Sequence, residues 1–195
     1  MSFTKSITKQ EIMELPLSGY KGKVVIASTE ESIQKAMDEI NEFNAVGFDT
    51  EARPTFKKGQ VRYISLIQIG TPEKVYLLRI MQTGLLPCII DFMENPEITK
   101  IGIGLDDDFN LLNNLKTFNH QGFLDLNKKF VEIGAENIGA RNLAGMIMGI
   151  RISKSAQTSN WELEQLTEKQ IRYAATDAWI CLEIYEKLYT WGFVE

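Results

Sequence analysis

The spacing of hydrophobic and polar positions changes several times along the chain, and each change predicts an element. Residues 23–27, Lys-Val-Val-Ile-Ala, form a short β-branched run that reads as a strand. Ser28 and Glu31 then offer a capping box, and Ile33, Met37 and Ile40 recur at helical spacing. Residues 46–51, Val-Gly-Phe-Asp-Thr-Glu, read as a strand that ends in two acids, followed by a loop over 52–60. Residues 63–69 and 74–78 flank Gly70-Thr71-Pro72-Glu73, so they predict a hairpin. A short helix is predicted over 85–93 with Pro87 in its first turn. A strand follows over 98–104, then a helix opening at the aspartates 106–108, a short strand over 122–126 and a helix over 137–147. Residues 151–160 read as a polar loop. Thr167 and Gln170 have capping-box spacing, and no Gly or Pro interrupts the chain from there to about Trp191. That stretch is the last and longest predicted helix. A hairpin first and alternating helix and strand afterwards predict an α/β fold, with a mixed central sheet flanked by helices on both faces.

Composition narrows the class. At 195 residues the chain suits one domain large enough to bury a core without staples. Hydrophobic content of 44% and charged content of 24% are ordinary for a globular protein. Cys88 and Cys181 both sit in apolar surroundings, which predicts reduced core thiols and a cytoplasmic setting rather than a zinc cluster. No apolar run approaches the ~18 residues of a membrane span, so no membrane partner is expected. Residues 1–21 are mixed polar and apolar, without the continuous apolar region of a signal peptide.

The candidate chemistry lies in carboxylates. Around the last helix, at ~100° per residue, Arg172, Thr176, Glu183 and Glu186 share a polar arc, while Ala174, Ile180, Cys181, Ile184 and Leu188 share an apolar one. Asp177 falls in the middle of the apolar arc, and Tyr173 lies one turn earlier on the same side. An ionised carboxylate facing a core is costly unless it is paired or binds a metal. Asp49 and Glu51, two apart in a strand, project from one face, and so close a pair repels unless a cation lies between them or one stays protonated. The aspartates 106–108 open a helix after the buried-looking run Lys100-Ile101-Gly102-Ile103-Gly104. Each signal alone has an ordinary explanation: a salt-bridged Asp, solvated acids at a strand end, acids that favour a helix N-terminus. Their coincidence in one small chain is more specific.

With these residues the sequence resembles a known family. Phe48-Asp49-Thr50-Glu51, the Gly-rich strand leading to Asp108, and Tyr173-Ala174-Ala175-Thr176-Asp177-Ala178 are similar to the three motifs of the DEDDy 3′–5′ exonucleases of the DnaQ-like superfamily, with ribonuclease D and the Werner-type exonuclease domain as the nearest kinds. Ile64-Ser65-Leu66-Ile67-Gln68-Ile69 resembles the family's second strand, and Ser159-Asn160-Trp161 its lead-in to the third motif. The resemblance covers residues 22–195 and leaves 1–21 as an N-terminal extension. It implies a ribonuclease-H-like fold and hydrolysis of phosphodiester bonds from the 3′ end of DNA or RNA to nucleoside monophosphates. It also implies two divalent ions, Mg²⁺ or Mn²⁺, held by Asp49, Glu51, Asp108 and Asp177, with Tyr173 orienting the attacking water. A phenol is neutral near pH 7, which favours that orienting role over a general base. Within the triplet, the family's acid opens a helix with apolar residues three and four places later. Asp108 meets this with Leu111 and Leu112, and Asp107 is the fallback. The only histidine, His120, reads as a surface residue.

Substrate contacts are less legible. The formal net charge is −5, which two divalent ions would bring to about −1. Lys57, Lys58 and Arg62 flank the first motif, Arg151 and Lys154 precede the third, and Phe56 occupies the place of an apolar wedge in relatives. Lys154 and Phe56 are the expected nucleic-acid contacts, on a 3′ end that is single-stranded or recessed. The chain ends soon after the third motif, so low processivity alone or a recruiting protein partner is expected. The competing reading is a catalytically silent nucleic-acid- or protein-binding module of the same fold.

Overall fold

The structure, a computed structural model, describes residues 3–54 and 62–194. Phe56, Lys57 and Lys58 lie outside the described residues. The chain opens with a helix that the reading of 1–21 as an extension does not foresee. Thr8 caps α1 (Lys9–Glu14), and Glu11 reaches back to the Thr8 backbone, the same reciprocal capping box that starts the last helix. Strand β1 (Lys23–Ala27) and helix α2 (Glu30–Ile40) follow. The cap of α2 is Thr29 with Ser32, one residue beyond the Ser28 and Glu31 expected. The Thr29 hydroxyl and the Ser32 hydroxyl satisfy each other's backbone N–H.

Strands β2 (Ala45–Ala52), β3 (Ile64–Gly70) and β4 (Lys74–Leu78) come next. Then the chain alternates: α3 (Ile80–Thr83), α4 (Pro87–Glu94), β5 (Thr99–Gly102), α5 (Asp106–Leu115), β6 (Phe123–Asp125) and α6 (Leu126–Glu132). Pro87 takes the first position of α4, where its missing N–H costs nothing. Over 137–147 the expected helix is a single turn, α7 (Ala140–Leu143), that widens into a π-helical segment, Ala144–Met148, and stops at left-handed Gly149. The last helix, α8 (Glu168–Thr190), starts on the Thr167/Gln170 capping box as expected.

The six strands order as β1-β4-β3-β2-β5-β6, and only β3 runs antiparallel to its neighbours. The sheet is therefore mixed and flanked by helices. Side chains alternate between two cores. Phe48, Ile67, Ile69, Tyr76 and Leu78 face α2 and α4, while Leu66, Val75 and Leu77 face α8. Every residue of β3 is buried, because both of its faces are covered. Lys100 is also fully buried; its ammonium donates to the carbonyls of Phe92 and Asn95, tying β5 to the end of α4. Burial pulls its pKa down to about 8. Among the described residues no helix is long and apolar enough to cross a membrane.

The position of α8 follows from two glycines. Gly47 of β2 and Gly70 of β3 are register partners on the face under the helix. A Cβ at Gly47 would lie 1.9 Å from the Ala178 carbonyl oxygen, and one at Gly70 would lie 3.0 Å from it. With Ala174, Ala175 and Ala178 as the facing side chains, helix backbone rests almost on sheet backbone. Strand and helix motifs far apart in sequence are thereby brought side by side.

Candidate active site

Asp49 and Glu51 lie on the same face of β2 as Gly47, since residues two apart share a face. Asp177 immediately precedes Ala178, the residue that seats on Gly47. The close approach of α8 thus delivers Asp177 to Asp49. Asp49, Glu51 and Asp177 each offer a carboxylate oxygen, and these atoms lie within 4.8 Å of one another. The register of β2 against β3 shifts at Glu51/Ala52. Such a bulge re-aims the side chains beside it.

Asp108 stands outside this triangle, held by a hydrogen bond donated by the Thr50 hydroxyl. Asp107 and Asp106 are exposed, whereas Asp108 is half-buried. Beyond any contact to its own helix, Asp108 is tied to β2 through Thr50. The N-cap residue of α5, Leu105, has no side-chain cap to offer, and Asp125 at the end of β6 accepts from the N–H groups of Gly104 and Leu105. Asp125 leaves Asp108 free to turn toward β2.

Tyr173 lies one helical turn before Asp177 and lines the same cleft, near enough for the two groups to influence each other's protonation. Its ring packs near the fully buried Trp161, with centroids 6.0 Å apart. Gln170, the N3 residue of α8, donates to the Ser159 hydroxyl and the Asn160 carbonyl. Buried Arg79 donates to the carbonyls of Leu163 and Glu164. The Ser-Asn-Trp segment is thereby pinned to the start of α8, where it buttresses the tyrosine ring.

Electrostatics mark the cluster as short of positive charge. Burial pushes Asp49 well above the usual carboxylate range, and the charges of Asp177, Asp108 and Glu51 add to it. Glu51 is pushed up to about 9 by burial, then by Asp177 and Asp108, against the pull of Arg62. Asp177 rises to about 7 by burial, opposed by the Tyr173 hydrogen bond and by Lys154. Asp108 rises to about 6, also by burial, opposed by Thr50. Burial and the same carboxylates keep the Tyr173 hydroxyl protonated. A set of oxygen ligands this close, crowded by like charge, fits a hard divalent cation. Asp49, Glu51 and Asp177 are placed to hold one directly, with Asp108 beside them.

A pH dependence follows. All four folded-state values lie above those of free carboxyls, so without metal the folded state holds more protons than the unfolded one from about pH 4 upward. Stability should therefore fall as pH rises through about 6 and 7 toward 9. In EDTA the melting temperature is expected to drop between pH 5 and pH 8. A flat profile would show that the acids are not crowded as described.

One cleft of 1110 Å³ contains Asp49, Glu51, Asp108, Tyr173 and Asp177. Lys154 and Arg62 line it too, both exposed. Arg151 does not; its guanidinium turns to the Met13 sulfur, and its backbone pairs with the N-terminal segment. His120 is exposed and stacks on Phe109. Sequence reading missed Gln68, which is fully buried and paired across the sheet with Asp49. Among the described residues neither atom of its amide has a hydrogen-bond partner. The signal was present as one amide in an otherwise apolar strand.

The family model of a 3′–5′ exonuclease matches residues 24–190. The chain belongs to the 3′–5′ exonuclease family. The mouse bifunctional 3′–5′ exonuclease/ATP-dependent helicase WRN is 30% identical to this exonuclease-family chain over 199 residues, covering 94% of the chain and 14% of the mouse protein. The chain thus spans only a small part of that relative's length. Among solved structures, the Aedes aegypti Nibbler EXO domain superposes with a TM-score of 0.79 at 22% identity, over 89% of this chain and 91% of that one. Escherichia coli RNase D, an exoribonuclease involved in structured RNA processing, gives 0.79 at 24%, over 86% and 44%. These likenesses show the ribonuclease-H-like fold, a six-stranded mixed sheet with helices.

Proposed function

We propose that the protein is a metal-dependent 3′–5′ exonuclease of the DEDDy type, removing nucleoside monophosphates from the 3′ end of DNA or RNA. The observation that carries this reading is the triangle of Asp49, Glu51 and Asp177, with Tyr173 lining the same cleft. When bound by Asp49, Glu51, Asp108 and Asp177, two Mg²⁺ or Mn²⁺ ions would supply water activation and stabilisation of the leaving oxygen. The protein supplies position and charge. Its carboxylates come from three segments fixed by the Gly47 contact, the Thr50 hydrogen bond and the β2 bulge. The Tyr173 hydroxyl is a hydrogen-bond donor at the edge of the cluster, suited to orient a water and unsuited to deprotonate one. Arg62 and Lys154 place positive charge on the cleft walls, where a phosphate backbone needs it.

The test is incubation of 5′-labelled single-stranded and recessed DNA and RNA with the protein, with and without Mg²⁺ or Mn²⁺. A ladder that shortens from the 3′ end and vanishes with chelator supports the reading. Binding without cleavage under every metal condition contradicts it and favours a silent module. Tyr173→Phe separates the tyrosine from the acids. It removes the hydroxyl but keeps the ring near Trp161, so single-turnover cleavage should slow by ~10²–10⁴-fold. Metal-induced stabilisation should persist. Cleavage at the unmutated rate would make Tyr173 a packing residue.

A further inference from the structure

Residues 3–22 precede the matched family region, yet part of this segment lines the same cleft as the acids. We propose that α1 forms one wall of the substrate cleft, and that Lys9 together with Arg141 of α7 is a second phosphate-binding station for the strand upstream of the reacting 3′ end. The proposal rests on the exonuclease reading and deepens it.

The segment is built into the body. The Glu136 N–H donates to the Lys5 carbonyl at 2.8 Å, and the Ile7 N–H to the Asn137 side chain at 3.0 Å. The Arg151 N–H donates to the Pro16 carbonyl, the Ser18 N–H to the Arg151 carbonyl, and the Tyr20 N–H to the Thr176 hydroxyl. Thr176 is therefore buried, although the helical arc placed it with the polar residues. Ile12 is buried, and Gly145 in the π-helical segment makes the room: a Cβ there would touch Ile7, Leu15 and Ile12. With α1 anchored through Ile12, Lys9 and Met13 sit four apart on one helix face and line the cleft.

Charge distribution supplies the second argument. Four cationic side chains line the cleft: Lys9, Arg62, Arg141 and Lys154. Among the described residues none of the four forms an ion pair, whereas the cations that do, Arg53, Lys74, Lys128, Lys129 and Arg172, all lie outside it. Arg62 draws on Glu51 and Asp108, and Lys154 on Asp177, whereas Lys9 and Arg141 come from α1 and α7. The Arg141 Nε is buried without a partner. A guanidinium half out of water and unpaired is suited to an anion, and phosphate is the anion a forked donor matches best. Met13, 58% exposed, and Ile138 offer apolar surface on the same cleft for base faces. The cleft exceeds the ~300–1,000 Å³ that encloses one small ligand, so it has room for more than the terminal nucleotide.

The test compares binding of 5′-fluorescein-labelled dT12 and dT3 in EDTA, where cleavage is blocked, for the unmutated protein, Lys9→Glu, Arg141→Glu and Lys116→Glu. Lys116 is exposed and lies outside the cleft, so it controls for net charge. The dT12 affinity advantage over dT3 should shrink about tenfold in Lys9→Glu and in Arg141→Glu but not in Lys116→Glu. The salt slope for dT12 should flatten by ~0.7 per lost phosphate contact. An unchanged advantage, or equal weakening of both lengths, overturns the proposal. Failure of the exonuclease reading shows separately, as absence of cleavage by the unmutated protein when metal is restored.

Discussion

Asp177→Ala is expected to reduce 3′-end cleavage by at least ~10³-fold, a loss of ~4 kcal/mol in transition-state stabilisation. Asp177 is the one carboxylate of the triangle contributed by α8, and Tyr173 lies one helical turn before it. Without Asp177 the strand acids lose their third oxygen ligand. The fold should survive the change. Above pH 7 the metal-free protein must hold this half-buried acid ionised beside its neighbours, so removing it relieves repulsion rather than packing. The check is single-turnover cleavage alongside thermal melting in EDTA at pH 8. Cleavage within threefold of the unmutated rate would take Asp177 off the reaction path. A collapse in melting temperature would make it a structural residue.

The second large effect is expected far from any charge. Gly47→Ala would set a methyl group on the Ala178 carbonyl oxygen, with the Leu182 N–H only 3.2 Å away. Both obstacles are helix backbone, which cannot rotate aside as a side chain can. Helix α8 must lift from the sheet, at a cost of about 3 kcal/mol. Cleavage should fall beyond what instability explains, because the residue next to Ala178 is Asp177. Gly70→Ala meets the same oxygen at 3.0 Å and should cost less. Urea unfolding of both variants ranks them. A Gly47→Ala midpoint equal to the unmutated one would show that the helix does not rest on the strand.

This contact also shows where sequence reading reaches its limit. The acids were legible because each breaks a local rule: Asp177 on an apolar arc, Asp49 and Glu51 sharing a strand face. Gly47 was visible as a glycine in a strand, but the helix that needs it lies about 130 residues away. Spacing singled out Asp108 within the triplet with Asp107 as fallback, but it could not show that Asp125, some twenty residues away, accepts the N–H groups that open α5. The Thr8/Glu11 box used the same signature as Thr167/Gln170, yet its helix is six residues long and too short to show an apolar period. The strands and the longer helices emerged close to their expected bounds, since hydrophobic period decides them. The residues lining the cleft from α1 and α7 did not, because a substrate path is a property of packing rather than of period.

The measurement that tests the central claim most directly is thermal melting of the unmutated protein and of Asp49→Asn at pH 8, with millimolar Mn²⁺ and with EDTA. At that pH the carboxylates are crowded and must ionise to bind, and a ligand that binds only the folded state stabilises it. The unmutated protein should melt several degrees higher in Mn²⁺. Asp49→Asn should melt higher than the unmutated protein in EDTA and respond weakly to Mn²⁺. A melting temperature of the unmutated protein that is the same with and without Mn²⁺ would contradict the account of these acids as a metal centre.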